Sequence, residues 1–406
     1  ALGSRSRQFA IGVKEAFVLT TLSWIVIAAF ASLPILLSMP EIGISGAFFE
    51  AMSGLTTTGS TVIANLDETA RGILLWRALL QWLGGIGIIV MAIAVLPLLG
   101  VGGMQLFRIE MSDHSKKLLP RAGPTAAWIT MTYGALTLIW AAALWTAGMS
   151  PFEAICHAMT TIATGGFSTA DGSIGAFNSS VIDWIIVTGM LVGSLPFLLY
   201  VQAVRGDPLA LLRDSQVRYF LALCLISAVL MTAWIFFRLD APVSTALRYA
   251  AFSTTSIVTG TGFTTTPFDN WGTFPVTLLF FLMFVGGCTG STTGGIKIFR
   301  FQVLFNSIRA ELSHFVRPHM VSAPRFNGEP VPDPIIRAVR VFFFVFILSF
   351  ACTALLLGLH GYDFLTSTSA AATAISNVGP GLGPLVGPAN NYGPMENSAK
   401  WVLSAA

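Results

Sequence analysis

The chain has 406 residues, of which 54% are hydrophobic and only 10% are charged, and its formal net charge is +3. A soluble domain carries about 25% charged residues, so this composition excludes a globular protein with a water-covered surface. We therefore expect an all-α integral membrane protein in contact with membrane lipid. We expect no nucleic-acid partner, because the basic residues lie in short segments between apolar stretches.

Seven apolar stretches approach or exceed the roughly 20 residues that a membrane-spanning helix needs. They lie at 15–38, 72–99, 125–148, 181–204, 216–237, 275–299 and 335–358. An eighth stretch begins at Trp401 and has only a few residues before Ala406. We therefore expect further segments of the protein to lie beyond one or both ends of this sequence.

The basic residues are distributed unequally between the two sides that these spans predict. If residue 1 is cytoplasmic, 17 of the 22 Lys and Arg residues fall in inner segments and five fall in outer ones. The outer five are Arg71, Arg77, Arg238, Arg248 and Lys400. Because cytoplasmic loops of membrane proteins are enriched in Lys and Arg, this bias predicts a cytoplasmic N-terminus.

Taken in chain order, the spans form successive pairs. Between the two spans of each pair lies a short helical segment, and a loop follows each short helix. The predicted short helices are 44–55, 151–162, 242–256 and 363–376, with Ser150 as an N-cap and Pro151 at the first helical position of the second. Each is too short to cross the bilayer, so each is expected to be re-entrant and buried in protein or beside water. The pattern predicts four repeats, at 1–124, 125–215, 216–333 and 334–406.

The loops that follow these short helices are rich in Thr and Gly and lie at 56–60, 163–167, 259–263 and 376–380. The first, second and fourth loops align without gaps, and the third loop aligns with them if one inserted residue is allowed. Helix C-termini carry partial negative charge, and glycine leaves carbonyl oxygens accessible, so four such loops around one axis favour a cation at the centre. Close helix packing through small residues is the alternative, but four loops at equivalent places favour the ion pathway.

The run 286–295 interrupts the sixth apolar stretch with five glycines and is followed by Lys297 and Arg300. Glycine costs about 1 kcal/mol in a helix interior, so the helix must break there. A phosphate-binding loop is excluded because no Gly-Lys-Ser/Thr triplet closes the run. We interpret it as a mobile plug below the four loops, with a static helix break as the alternative.

The run around Gly59, the run 161–169 and the segment 286–300 resemble the Trk/Ktr/HKT superfamily of cation transporters. The segment 102–108 is more similar to the TrkH/TrkG branch of that superfamily. The resemblance covers nearly the whole chain. It implies four M1–P-loop–M2 repeats arranged as in a potassium channel, K⁺ as the transported ion, and a homodimer in a bacterial plasma (inner) membrane.

The resemblance also implies the site residues. It assigns a K⁺-binding selectivity filter to Thr57, Thr58, Gly59, Thr164, Gly165, Gly166, Gly260, Thr261, Gly262, Asn377, Val378 and Gly379. It assigns an intramembrane gating loop to Gly286–Gly295, including Gly286, Gly287, Gly290, Ser291, Thr292, Thr293, Gly294 and Gly295, with Lys297 beside it.

A cytosolic ring subunit with nucleotide-binding domains of the RCK type is implied as a regulatory partner. This chain has no nucleotide-binding motif, so we expect it to carry no organic cofactor. Basic residues at 108–121 and 309–325 are expected to dock the partner. The alternative function is a secondary cation transporter coupled to H⁺ or Na⁺ with alternating access. An enzyme is not expected, because the spans hold no nucleophile–base or metal constellation.

Overall fold

The computed structural model describes residues 13–94, 122–317 and 323–406. These residues form four consecutive repeats of a first helix (M1), a short pore helix and a second helix (M2). The first repeat contains α1 (Val13–Ser38), α2 (Gly43–Leu55) and α3 (Arg71–Ala94). The second contains α4 (Ala122–Thr146), α5 (Pro151–Ile162), and an M2 made of α6 (Ser180–Gly193) and α7 (Phe197–Val204).

The third repeat follows a short helix, α8 (Ala210–Arg213), and its M2 is interrupted. Its helices are α9 (Ser215–Leu239), α10 (Val243–Thr259), α11 (Thr273–Leu282) and α12 (Ile298–Val316). A small antiparallel hairpin, β1 (Arg325–Phe326) with β2 (Glu329–Pro330), leads to the fourth repeat. The fourth contains α13 (Asp333–Leu359), α14 (Phe364–Ser376) and α15 (Asn397–Ala405).

The pore helices begin close to where the sequence predicts, because capping residues stop the chain locally. Ser150 and Glu153 form a reciprocal capping box at α5, with Pro151 at its start. Asp363 accepts hydrogen bonds from Leu365 N and Thr366 N at the start of α14, both at 3.1 Å. The third pore helix, α10, extends to Thr259, three residues beyond the predicted end at residue 256.

The M2 of the second repeat is bent, and the expectation of one continuous span at 181–204 was wrong. Its two halves, α6 and α7, meet at 92°. Pro196 has no backbone N–H and disfavours helical geometry at Leu195, so the chain can turn there. The carbonyl of Ser194 accepts a hydrogen bond from Cys288 N at 3.0 Å. The bend is therefore filled by the interrupted M2 of the third repeat.

The repeats form a closed circle around the pore helices. In every repeat M1 packs against its own pore helix. In addition α5 packs against α3, α10 against α6, and α2 against α15, so the fourth repeat returns to the first. The pore helices are consequently the most buried part of the protein, and nearly every residue of α10 after Ala250 is inaccessible to solvent.

The M1 helices cover the outside of the described structure. Among the described residues, five helices, including α1, α9 and α13, are apolar and long enough to cross a membrane, or up to six if α6 and α7 count as one span. Large apolar side chains such as Leu37 on α1 and Leu355 on α13 remain exposed. Burying such surface in hydrocarbon is favourable, so these helices face lipid and the protein is a multi-pass membrane protein.

Candidate functional site

The loop that follows each pore helix begins with one residue in the left-handed backbone conformation. These residues are Thr57, Thr164, Gly260 and Asn377, with φ of 58°, 50°, 70° and 56°. We call this place the first loop position. The amide of the next residue donates back to a carbonyl five residues earlier, for example Thr58 N to Ser53 O and Thr261 N to Ser256 O. All four pore helices therefore end in the same turn.

The third loop position is a glycine with positive φ in every repeat. Gly59, Gly166, Gly262 and Gly379 have φ of 83°, 77°, 80° and 95°. The expected insertion in the third loop was wrong, because Thr259 takes the place of Ala163 and the loops match residue for residue. The apparent insertion came from the unpredicted last residues of α10.

The four loops touch one another in cyclic order. A Cβ built on Gly59 would overlap the carbonyl oxygen of Gly165, one on Gly166 would overlap that of Thr261, and one on Gly262 would overlap that of Val378. A Cβ on Gly379 would lie 2.8 Å from the carbonyl oxygen of Thr58, which closes the circle. The same four glycines line one cavity of about 80 Å³. Only glycine permits this approach, because any side chain would force the loops apart.

Protein donors hold two of the loop carbonyls in place. Gln81 of α3 is fully buried, and its amide donates to Gly165 O at 2.6 Å and accepts from Phe167 N at 3.0 Å. Gly379 O accepts hydrogen bonds from Ser60 Oγ at 2.9 Å and from the Tyr392 hydroxyl at 3.0 Å. The second loop is thus fixed by a neighbouring repeat, and the fourth by a neighbouring repeat and by the segment that follows it.

The side chain of Asn377 connects the fourth loop to the first. Its Nδ2 donates to Thr58 Oγ1 at 2.8 Å and lies 3.2 Å from Thr56 O. The predicted residues at all three positions of the four loops are therefore brought together at one place.

A buried ion pair lies behind the first and second loops. Arg77 Nε of α3 donates to Glu50 Oε1 of α2 at 2.7 Å, and the two side chains are 1% and 0% exposed. Arg77 also donates to Ser168 O at 3.0 Å, and its guanidinium lies 4.0 Å from the centre of the Phe167 ring. Glu50 in turn accepts from Val62 N at 2.8 Å. The ion pair therefore joins the first pore helix to the residues that follow the first and second loops.

His157 occupies the place in the second repeat that Glu50 has in the first, seven residues before the first loop position. Its Nε2 lies 3.0 Å from Ser168 Oγ, just as Glu50 Oε1 accepts from Thr61 Oγ1 at 2.9 Å. The equivalent residues of the other repeats are Ser253 and Ala370. The first and second loops therefore have a large polar side chain behind them, whereas the third and fourth have a small one.

The predicted gating loop forms a closed excursion between α11 and α12. Its two ends are held together, because Ile296 N donates to Phe284 O at 3.0 Å and Lys297 N donates to Val285 O at 2.7 Å. Within it, Ser291 Oγ lies 2.8 Å from Thr293 Oγ1, which accepts from Gly287 N at 3.1 Å. The loop is thus a small ordered unit, although it lies between two helices.

The tip of this excursion reaches the first positions of two re-entrant loops. Thr292 Oγ1 lies 3.0 Å from Thr164 Oγ1 and 3.1 Å from Ile162 O. On the other side, a Cβ on Gly294 would overlap the carbonyl of Ser376 and would lie 2.7 Å from the Cβ of Asn377. Lys297 lies farther away, with its Nζ 3.5 Å from Ser291 O. The excursion therefore lies against the end of the loops nearest the pore-helix C-termini.

Some predicted features lie outside the described residues or outside this site. The basic residues at 108–121 and the segment 102–108 fall outside them. Within the described ranges, no group of three or more His, Cys, Asp or Glu side chains is placed to hold a metal ion.

Comparison with known proteins agrees with this architecture. Residues 2–406 match the family described as TrkH, cation transport protein. The chain belongs to the TrkH family. It is 46% identical to the Trk system potassium uptake protein TrkI of Halomonas elongata, over 96% of this chain and 79% of that protein. It is 38% identical to TrkH of Escherichia coli K12, over 99% of this chain and 84% of that protein.

A solved structure of the TrkH family has the same fold. The crystal structure of the potassium transporter TrkH from Vibrio parahaemolyticus superposes with a TM-score of 0.89 at 37% identity. The match covers 99% of this chain and 83% of that one. The family consists of transporters, so the expectation that the chain is not an enzyme is confirmed.

Sequence reasoning missed three residues that support the loops of this TrkH-family chain. Arg77 was counted with the outer segments, but it lies inside α3, where it pairs with Glu50. Gln81, one turn farther along α3, was not singled out. A usable signal was present, since an ionisable residue within an apolar stretch is rare and usually finds a partner. An acidic residue in one re-entrant helix and a basic residue in the following span were such a pair.

Proposed function

We propose that the chain is the membrane subunit of a K⁺ uptake system and conducts the ion through the circle of four loops. The named relatives are potassium uptake proteins. The observation that carries the proposal for this chain is the cyclic contact of the four loop glycines around one cavity. The filter then consists of the three loop positions of each repeat, and the four repeats have the boundaries 1–124, 125–215, 216–333 and 334–406.

The ion is stabilised by replacement of its hydration shell. Carbonyl oxygens take the place of water, as in potassium-channel filters. The C-terminal ends of α2, α5, α10 and α14 add a partial negative charge at the inner end of the filter. Two carbonyls, those of Gly165 and Gly379, already accept protein hydrogen bonds, so the greater share of the coordination falls to the others.

Ion flux through the purified protein in liposomes tests this function. We expect K⁺ flux that follows its own electrochemical gradient and exceeds Na⁺ flux, and we expect Gly59→Ser to reduce that discrimination. An unchanged K⁺/Na⁺ permeability ratio in a folded Gly59→Ser variant would remove the filter assignment. Flux that requires an imposed H⁺ or Na⁺ gradient would instead make the protein a coupled carrier.

The excursion at 286–295 is proposed to close the pathway as a gate. Its support is the contact of Thr292 with Thr164 and of Gly294 with Asn377 at the inner end of the filter. Deletion of residues 290–294 should raise K⁺ flux. Thr292→Val should also raise it, because the hydroxyl contact with the second loop is lost. Thr289→Val is the matched control, because within the described ranges Thr289 is hydrogen-bonded through its backbone amide, which donates to Gln216 at 3.0 Å. A folded deletion variant without flux would favour a static helix break.

The assembly is proposed to be a homodimer in the bacterial plasma membrane, with the N-terminal side of α1 in the cytoplasm. A cytosolic ring subunit of the RCK type is the proposed regulator. It would dock on the basic segments, of which 309–325 is partly described. Pull-down with the double variant Arg309→Gln/Arg317→Gln should recover less of that subunit than the wild type. Equal recovery would remove this segment from the docking surface.

A further inference from the structure

A cavity of about 890 Å³ lies at the start of α9, away from the filter. It is bounded by α9, α12, the segment around α8 and the β1–β2 hairpin. Helix α9 runs from this cavity toward the start of the third pore helix, so the cavity lies on the membrane face opposite the pore-helix entrances. The filter contacts described above do not involve its lining, and of the gating-loop contacts it shares only Val285, whose carbonyl accepts from Lys297 N.

The cavity carries uncompensated positive charge. Three arginines and two aspartates line it. Asp207 pairs with Arg213 at 3.3 Å, and Asp214 caps α9 by accepting from Val217 N at 3.1 Å. Arg218 and Arg325 have no acidic partner among residues 13–94, 122–317 and 323–406. The lining therefore attracts an anion.

Two buried polar atoms on the lining lack hydrogen-bond partners within the described part of the chain. They are Oγ of Ser215, at the start of α9, and Oε1 of Gln302 on α12. Buried polar side-chain atoms are almost always paired in folded proteins, so unpaired ones beside a cavity indicate a polar ligand. With Arg218 and Arg325 they provide both charge and hydrogen bonding for one head group.

The rest of the lining is apolar and continuous with the outer surface. Leu223 of α9 and Phe301 of α12 line the cavity, as do Tyr219 and Phe305, which are 64% and 67% exposed. Farther along α9, Leu225 is 65% exposed on the surface that faces hydrocarbon. An occupant with an anionic head and an apolar chain would satisfy both parts, and phospholipid is the molecule of that chemistry already present around the helices.

We propose that this cavity binds an anionic phospholipid, whose phosphate pairs with Arg218 and Arg325 and whose acyl chain lies against the apolar residues of α9 and α12. The charge favours an acidic lipid over a zwitterionic one. The site is independent of the transported ion, so its test does not depend on the proposed function.

Native mass spectrometry of the full chain in detergent tests the proposal, with dioleoyl phosphatidylglycerol, dioleoyl phosphatidylcholine and inorganic phosphate as probes. Each arginine near an acidic lipid is worth about fivefold in affinity, the equivalent of about 1 kcal/mol. The double variant Arg218→Gln/Arg325→Gln should therefore bind phosphatidylglycerol about thirtyfold more weakly. Arg238→Gln is the matched control, because Arg238 lies at the other end of α9, 5.4 Å from the Trp234 ring, and it should bind as the wild type does.

A second variant separates the apolar part of the site from its charge. Leu223→Trp fills the cavity and should weaken phosphatidylglycerol binding while both arginines remain. Equal affinity for the two lipids, or equal loss in the double variant and in Arg238→Gln, would overturn the proposal. The proposal would also be overturned if inorganic phosphate displaced the lipid at a similar concentration and Leu223→Trp left phosphatidylglycerol binding unchanged. That result would identify a site for free anions.

Discussion

Replacement of Glu50 by Gln should destabilise the protein more than almost any other single isosteric change. The Glu50 carboxylate accepts hydrogen bonds from Arg77 Nε at 2.7 Å, Val62 N at 2.8 Å and Thr61 Oγ1 at 2.9 Å. A glutamine offers one acceptor oxygen and places an NH₂ group against donors on its other side. It also leaves the Arg77 guanidinium, which is 1% exposed, without a counter-charge.

The magnitude follows from the burial of both partners. Removal of one member of a buried ion pair costs about 3–5 kcal/mol, because the remaining charge stays buried and unpaired. We expect E50Q to lower the free energy of unfolding by that amount and R77Q to do the same. In the double variant E50Q/R77Q no charge is left unpaired, so its loss should be at least about 2 kcal/mol smaller than the sum of the single losses.

Unfolding titrations with SDS in mixed micelles, followed by tryptophan fluorescence, measure these free energies. Glu311→Gln is the control, because Glu311 pairs with Arg340 on the surface, where the side chains are 59% and 48% exposed. An exposed pair contributes at most about 1 kcal/mol. Additive single losses, or an E50Q effect no larger than that of Glu311→Gln, would refute the reasoning. Lower K⁺/Na⁺ selectivity in E50Q would indicate that the ion pair also supports the filter.

Four further variants test the loops and the cap of the fourth pore helix. Gly166→Ala should abolish K⁺ flux in liposomes, whereas Gly379→Ala should retain more, because its Cβ would lie 2.8 Å from the nearest carbonyl oxygen, a milder clash than the direct overlap at Gly166; equal flux in the two variants would contradict the cyclic contact. Gln81→Leu removes both tethers of the second loop and should lower K⁺/Na⁺ selectivity, which bi-ionic flux would detect as a changed ratio. Hydrogen bonds from Thr366 and Leu365 at the start of α14 lower the pKa of Asp363. Asp363→Ala should therefore cost about 1 kcal/mol of unfolding free energy at neutral pH. That cost should shrink as the pH falls from the ordinary carboxyl pKa of about 3.9 through the lowered pKa, and a cost that did not shrink over this range would exclude the carboxylate as its source.

Local signals in the sequence were enough to establish the class, the helices and the loops. Apolar stretches of membrane length, a capping residue such as Ser150, and Thr/Gly-rich runs after four short helices all act between near neighbours in the chain. The run 286–295 was predicted to break its helix for the same reason, since glycine weakens a helix wherever it stands. These features were therefore found without knowledge of the packing.

The tertiary structure decided which distant groups meet. Pro34 lies inside α1, which stays continuous, whereas the stretch that contains Pro196 is bent. The proline is the same, but only at the second site does another repeat fill the bend and bond to its backbone.

The pairing of Glu50 with Arg77 and the tether from Gln81 to the second loop likewise join different helices or repeats. Hydrophobic periodicity and local propensity indicate which face of a helix is buried, but they do not indicate what it packs against. The four re-entrant loops could be predicted because their sequence patterns are local. Their contacts with one another and the buried side chains behind them depend on how the repeats pack, so they were found only in the structure.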